Sequence, residues 1–143
     1  MDLPRTAAPQ HDQKCILVVD DEDAIREVVA ETLELVGYRV EHAHDGQQAF
    51  DKIRANRPDA IVLDLMMPVM DGWAFVRQCR RDEVFSDTPI LVISAYRHLA
   101  DTARELHVVC MSKPFDLDVF LNAVKSLLSS TPHLDRSATP SRA

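Results

Sequence analysis

The chain has 143 residues with a formal net charge of −7, and 46% of its residues are hydrophobic, which is typical of one folded domain with one core. Its 16 lysines and arginines are scattered, so no basic stripe is available to neutralise nucleic-acid phosphates, and direct nucleic-acid binding is not expected. Neither a run of 18 apolar residues nor an apolar leader occurs, so membrane insertion and secretion are not expected either.

Both ends of the chain are polar and rich in proline and small residues. Residues 1–13 and 130–143 are therefore predicted to be disordered tails. Between them, residues 14–129 form one uninterrupted predicted domain without internal repeats or a linker. Because no further domain follows residue 130 in this sequence, we expect a stand-alone unit.

Short apolar runs alternate with helical patterns through the predicted domain. The first run predicts a buried strand, and the amphipathic pattern after it predicts a helix that ends at Gly37. Asp116 is suited to cap the last helix. The predicted strands are 15–19, 38–43, 60–63, 90–93 and 108–111, and the predicted helices are 25–36, a short one after Gly46, 73–80, 99–106 and one after Asp116.

Strand and helix alternate five times, which predicts an α/β fold. Nearly continuous Val, Ile and Leu in the strands indicates burial on both faces, hence a doubly wound parallel sheet with helices on each side. Ligands of such open sheets bind beyond the carboxyl ends of the strands. The residues that follow each strand are therefore the first place to look for a functional site.

Acidic, hydroxyl and amine groups stand at these strand ends. Asp20 and Asp21 follow the first strand and Asp64 the third, while Ser94 and Lys113 follow the fourth and fifth. Carboxylates gathered in this way repel one another, which raises the pKa of one or more of them and favours a divalent cation. Mg²⁺ is the natural choice, with Mn²⁺ as an alternative, because it binds carboxylates together with phosphate oxygens. The lysine and the serine are suited to contact a phosphoryl group.

Each of these residues also has an ordinary structural interpretation. Asp20 and Asp21 are both suited to cap the first helix, and Asp64 is suited to begin a turn. Ser94 is suited to a plain strand end, and Lys113 to a solvated surface position. The sequence would lack a functional site only if all of these structural interpretations were true at once, so the functional interpretation is favoured.

Four motifs resemble the receiver domains of bacterial response regulators. They are Val-Val-Asp-Asp-Glu at 18–22, Asp-Leu-Met-Met-Pro-Val-Met-Asp-Gly at 64–72, Ile-Ser-Ala at 93–95 and Ser-Lys-Pro-Phe at 112–115. The resemblance extends over roughly residues 14–129. It implies a flavodoxin-like fold of five parallel strands in the order 2-1-3-4-5.

The resemblance also implies a metal site and a phosphoacceptor. Asp64 would receive a phosphoryl group from a histidine of a sensor kinase or of a histidine phosphotransfer protein. Asp21 would bind the Mg²⁺ ion directly, and Asp20 largely through water. The backbone carbonyl of Met66 would complete the ligands from the protein.

The remaining roles implied by the resemblance concern the phosphoryl group. Lys113 and Ser94 would contact it, and the Ser94 hydroxyl would shift on activation. Pro114 would follow a cis peptide bond, which directs the lysine. The phosphorylated chain would then alter its interaction with a protein partner, and it would catalyse only its own phosphorylation and dephosphorylation.

Two departures from the family pattern keep alternatives open. Cys110 stands where the family usually has Tyr or Phe, and Ser94 and Lys113 are 19 positions apart, about one helical turn short of the family norm. These departures favour a degenerate receiver that switches weakly, whereas a phosphorelay intermediate is a further alternative. A phosphohydrolase is disfavoured, because such enzymes commonly place a second acid at the position of Met66.

The three cysteines are far apart in the sequence and form no CxxC pair. Their apolar surroundings predict buried free thiols, which are typical of a reducing compartment, so we expect a cytoplasmic protein. His42 and His44 alternate near the end of the second strand, but no further ligands for a histidine metal site are evident. The cysteines are Cys15, Cys79 and Cys110.

Overall fold

The computed structural model describes residues 13–64, 72–83, 85–94 and 100–129. The predicted disordered tails, except for residue 13, lie outside this part of the chain, and so does Met66. Within the described residues, every helix is too short or too polar to span a lipid bilayer.

Five strands alternate with five helices, as the apolar patterns predict. Most predicted boundaries agree with the structure to within one or two residues. The elements are β1 (Cys15–Val19), α1 (Asp23–Leu35), β2 (Arg39–Ala43), α2 (Gly46–Ala55), β3 (Ala60–Asp64), α3 (Gly72–Arg81), β4 (Ile90–Ser94), α4 (Ala100–Leu106), β5 (Val109–Ser112) and α5 (Leu117–Ser129).

The strands form one parallel sheet in the order β2-β1-β3-β4-β5, which confirms the predicted fold class. Val19 at the end of β1 lies opposite Leu63 of β3, and Ser94 at the end of β4 lies opposite Ser112 of β5. The strands therefore end at nearly the same level, so the residues after them share one edge of the sheet.

Two apolar clusters cover the two faces of the sheet. One includes Leu17 and Leu63 with Phe50 of α2 and Phe75 of α3, and the other includes Val18 with residues of α1 and α5. Strands β1, β3 and β4 are buried throughout, whereas β2 and β5 are only partly covered. The expected burial on both faces therefore holds for the three inner strands and not for the two edge strands.

Helix α1 buries less of its apolar stripe than the sequence predicts. Val29 and Leu33 are buried, but four other apolar residues of the helix and its end are exposed. Periodicity shows which residues share a face but not how far the neighbouring elements reach around it. We call the exposed set the α1 apolar strip, which consists of Ile25, Val28, Leu35 and Val36.

Two helices end in the same hydrogen-bonded arrangement with a residue in the left-handed region. After α1, Gly37 has a φ of 104°, and its N–H donates to the carbonyl of Glu34 at 3.0 Å. After α4, His107 takes this position with a φ of 57° and donates to the carbonyl of Arg104 at 3.3 Å. This arrangement satisfies helix carbonyls and turns the chain into the next strand.

Arg80 joins three segments at the opposite end of the sheet from the acidic residues. Its Nε donates to the carbonyl of Leu106 at 2.8 Å, and its Nη2 donates to that of His107 at 2.9 Å. Its Nη1 donates to the carbonyls of Ser86 at 3.1 Å and Thr88 at 2.8 Å. The guanidinium thus holds the end of α4 and the segment before β4 to helix α3.

Replacing Arg80 is expected to destabilise the protein strongly. Arg80→Gln removes charge-assisted hydrogen bonds to four carbonyls and should lower the free energy of unfolding by about 3 kcal/mol. The neighbouring Arg81 is exposed, so Arg81→Gln should change it by less than about 0.5 kcal/mol. Urea denaturation measures both values, and equal midpoints for the two variants would contradict the role given to Arg80.

Candidate functional site

Three aspartates come together at the carboxyl edge of the sheet. Asp20 and Asp21 follow β1, and Asp64 is the last residue of β3. One carboxylate oxygen from each lies within 4.8 Å of the others. Asp20 and Asp64 are each 6% exposed, whereas Asp21 is exposed, so the cluster is buried on one side and open to solvent on the other.

Asp20 is held by hydrogen bonds on both its main chain and its side chain. Its N–H donates to the carbonyl of Ala43 at 3.0 Å, which extends the pairing of β1 with β2 by one residue. Its Oδ1 accepts the N–H of Glu22 at 3.0 Å, and its carbonyl accepts Nη1 of Arg26 at 2.8 Å. Because the Asp20 carboxylate bonds to Glu22, which precedes the helix, helix capping does not explain this residue.

Lys113 reaches the same cluster from β5. Its Nζ lies 3.4 Å from Oδ2 of Asp64, and its main-chain N–H donates to the carbonyl of Ser94 at 2.8 Å. That bond continues the pairing of β4 with β5 beyond Ser112, so the lysine leaves the sheet at a fixed point. The Lys113–Pro114 peptide bond is cis, as the resemblance implies.

Ser94 is fully buried at the end of β4, next to the strand that carries Asp64. The structure therefore brings five of the six predicted site residues to one edge of the sheet. Met66, the sixth, lies outside the described residues, so its role as a ligand stays a prediction. The five described residues are Asp20, Asp21, Asp64, Ser94 and Lys113.

The histidines contribute no cation site in the described part of the chain. The aspartate cluster is the one group of potential metal ligands found there. His44 instead lies with its Nδ1 3.2 Å from Oδ2 of Asp45, the residue whose side chain caps helix α2.

Burial raises the pKa of Asp20 to about 6. Burial is the largest cause of this rise, and the negative charges of Asp64 and Asp21 raise the pKa further. The hydrogen bond from the N–H of Glu22 and the positive charge of Lys113 both lower it. The sequence predicts a raised pKa in this cluster through repulsion between carboxylates. The structure identifies Asp20 as such a group and gives desolvation the larger part.

The donor set fits a hard divalent cation. Three carboxylate oxygens within 4.8 Å of one another are suited to surround an ion that prefers oxygen ligands. Asp20, Asp21 and Asp64 are therefore the residues suited to hold Mg²⁺ or Mn²⁺.

The response regulator receiver domain family matches residues 16–125, which include all of these groups. The chain belongs to this family. This receiver is 43% identical over 119 residues to the response regulator MprA of Mycobacterium avium, covering 81% of this chain and 51% of the relative. It is 41% identical over 129 residues to MprA of Mycobacterium ulcerans, covering 88% of this chain and 55% of that protein.

Solved structures of other proteins show the same fold. The chemotaxis protein CheY4 of Vibrio cholerae is similar to this receiver with a TM-score of 0.75 and 33% identity, covering 81% of this chain and 99% of that one. A response regulator receiver protein from Pseudomonas putida has a TM-score of 0.73 and 26% identity, covering 80% and 97% of the two chains. By contrast, the receiver spans about half the length of the curated relatives it matches.

The two departures from the family pattern leave the acidic site intact. Helix α4 has only seven residues, but Lys113 still lies beside Asp64. Cys110 on β5 is half-buried and packs against the cluster that contains Phe75. Its burial raises the pKa of the thiol. The departures therefore leave the described residues of the acidic site together.

Sequence reasoning missed Arg26 at this site. The Arg26 side chain is 12% exposed and contacts the main chain of Asp20 rather than an ionised group of the cluster. A contact with a backbone carbonyl leaves no pattern of residue types. The available signal is position alone, because Arg26 lies in the first turn of the helix that follows the acidic residues.

The raised pKa of Asp20 predicts a pH-dependent cost in the metal-free receiver. A folded pKa of about 6, above the usual 3.8 of an aspartate, means that Asp20 favours the folded state most below about pH 3.8 and that this contribution is lost as the pH rises through about 6. Asp20→Asn should therefore gain stability relative to the parent between pH 5 and pH 7.5. Urea denaturation in a metal chelator measures the difference, which would be independent of pH if Asp20 had an ordinary pKa.

Proposed function

We propose that Asp64 of this receiver accepts a phosphoryl group from a histidine of a partner kinase, and that the modification changes how the receiver binds another protein. The observation that carries the proposal is the meeting of three carboxylates with the amine of Lys113 at one edge of the sheet. Membership of the receiver domain family supports it independently.

The cation site belongs to the same proposal. Asp20, Asp21 and Asp64 would hold Mg²⁺ or Mn²⁺, and Met66 is the further expected ligand. When bound, such an ion supplies positive charge that offsets the negative charge of the phosphoryl oxygens and polarises the group for transfer.

Asp64, Lys113 and Ser94 each have a separate role in the proposed phosphoryl transfer. A carboxylate oxygen of Asp64 attacks the phosphorus, the bond from phosphorus to the imidazole nitrogen of the donor breaks, and the electron pair remains on that nitrogen. Lys113, already beside Asp64, would pair with a phosphoryl oxygen, and the Ser94 hydroxyl would donate to another. Hydrolysis of the acyl phosphate by water would restore Asp64.

Labelling with acetyl phosphate tests the acceptor. The parent should take up one phosphoryl group when Mg²⁺ is present and almost none in a metal chelator. Asp64→Asn should not be labelled, because an amide is a poor nucleophile, whereas Asp51→Asn, on the exposed face of α2, should be labelled like the parent. Label that persists on Asp64→Asn would contradict the proposal.

The α1 apolar strip provides a surface on which the phosphodonor could dock. A donor has to approach Asp64 closely, and α1 begins directly after the acidic residues, with Ile25 in its first turn. The Val28 residue is 52% exposed, although an apolar side chain gains nothing from contact with water. We therefore propose that the strip contributes to the contact with the kinase.

Val28→Arg tests this surface. Phosphotransfer from the cognate kinase should slow about tenfold, since a charge in an apolar contact costs on the order of 1.4 kcal/mol or more. Labelling by acetyl phosphate should be unchanged, because no docking is needed. Val109→Arg is the control, because Val109 is 46% exposed and begins β5 at the end of the sheet opposite the acidic residues. Transfer to Val28→Arg at the parent's rate would remove the strip from the interface.

Cys110 favours a second candidate, a receiver that is phosphorylated but switches weakly. A small, half-buried thiol at this position cannot move an aromatic ring between two orientations when Asp64 is modified. Beryllium fluoride, a mimic of the phosphoryl group, distinguishes the candidates in amide NMR spectra. Shifts that extend along β4 and β5 support switching, and shifts confined to the neighbours of Asp64 support the degenerate form.

A further inference from the structure

Arg26 is a largely covered cation beside the aspartate cluster. Its side chain is 12% exposed, and its Nε is buried without a hydrogen-bond partner in the described residues. Burial of an unpaired polar group is costly, and an apolar side chain at such a position usually serves the fold as well or better. The guanidinium therefore calls for an explanation other than packing.

The contacts of Arg26 point to the aspartate cluster. Its Nη1 donates to the carbonyl of Asp20 at 2.8 Å, and its Nη2 lies 2.6 Å from Oδ1 of Asp23. The Asp23 side chain is 78% exposed, so solvent weakens that ion pair. The bond to the Asp20 carbonyl is part-buried, so solvent weakens it less, and the positive charge of Arg26 contributes more to this contact than to the ion pair with Asp23.

The carbonyl of Asp20 is part of the peptide plane that joins Asp20 to Asp21. Fixing this plane fixes the direction from which both side chains leave the main chain. Two further hydrogen bonds hold Asp20: its N–H donates to the carbonyl of Ala43, and its carboxylate accepts the N–H of Glu22. Arg26 supplies the side-chain bond to this peptide plane.

The carboxylates of the cluster repel one another, and rotation of the peptide plane is a simple way for them to separate. Arg26 opposes that rotation without bonding to a carboxylate of the cluster, whereas Lys113 bonds directly to Asp64. The guanidinium thus restrains the geometry and leaves the carboxylate oxygens to a cation.

We infer that Arg26 is a positioning residue for the cation site, which holds the turn of Asp20 and Asp21 in the arrangement that binds Mg²⁺. The inference rests on the proposed function, since it takes the cluster to bind a divalent cation. It assigns Arg26 no contact with the phosphoryl group.

Calorimetric titration of the metal-free receiver with Mg²⁺ tests the inference. Arg26→Met should weaken Mg²⁺ binding about tenfold, as loss of a residue that orients metal ligands commonly does. Arg26→Lys should recover part of the affinity, because an ammonium can still donate to the carbonyl. Asp23→Asn removes the ion pair but not the bond to Asp20, so it should stay within about twofold of the parent.

Stability separates positioning from an ordinary structural role. Arg104→Met is a control for loss of an ion pair with the same helical spacing, because Arg104 pairs with Asp101 three residues away, although on the exposed surface. Arg26→Met should retain the parent's urea midpoint, because loss of the bond to Asp20 is offset by removal of the unpaired Nε. The N–H of Glu22, which donates to the Asp20 carboxylate, should exchange with deuterium faster in this variant. If Arg26→Met does not fold, Arg26→Lys decides by the same two measurements.

Each outcome has a distinct meaning. Parent-like Mg²⁺ affinity in the folded Arg26 variant, or a lower urea midpoint with unchanged affinity, would overturn the inference and leave the proposed function standing. A parent receiver that binds no Mg²⁺ would overturn both. Weaker Mg²⁺ binding by Arg26→Met, with Asp23→Asn and Arg104→Met like the parent, supports the positioning role.

Discussion

Repulsion between carboxylates that the fold forces together governs the carboxyl edge of this sheet. Asp20 and Asp64 are both largely buried, and at the 4.8 Å limit two such charges repel by about 3 kcal/mol when the effective dielectric constant is near 20. The amine of Lys113 offsets part of this repulsion, and main-chain hydrogen bonds restrain the turn of Asp20. Burial, with a smaller part from the charge of Asp64, raises the pKa of Asp20. Because this repulsion is present in the metal-free site, binding of a cation there would relieve it.

Most of the fold and the site could be predicted from the sequence, because both depend on residue type and order. Alternating apolar runs specify a parallel sheet, and a parallel sheet places the residues after its strands at one edge, which is why Asp64 and Lys113 could be paired across 49 positions. The family motifs supplied the strand order. A site whose residues follow the strands of a parallel sheet can therefore be predicted from a single sequence.

The features that could not be predicted depend on how far neighbouring elements reach. Periodicity placed Val28 and Val29 in one apolar stripe, but only Val29 is covered. The bond from Arg26 to Asp20 and the bonds from Arg80 all go to backbone carbonyls, which every residue possesses, so no sequence pattern marks these partners. The raised pKa of Asp20 depends on how deeply its carboxyl group is buried, which residue types alone do not reveal.

The lysine of the site is carried by an edge strand. Strand β5 pairs on one side only, with β4, and the last bond of that pairing is the one from the Lys113 N–H to Ser94. Edge strands open at lower free energy than inner strands, so the amine can leave Asp64 by local fraying while β1 and β3 keep the carboxylates in place. The contact between Lys113 and Asp64 therefore depends on the pairing of a single strand edge, and any contact that covers the open edge of β5 would also hold the amine beside the carboxylates.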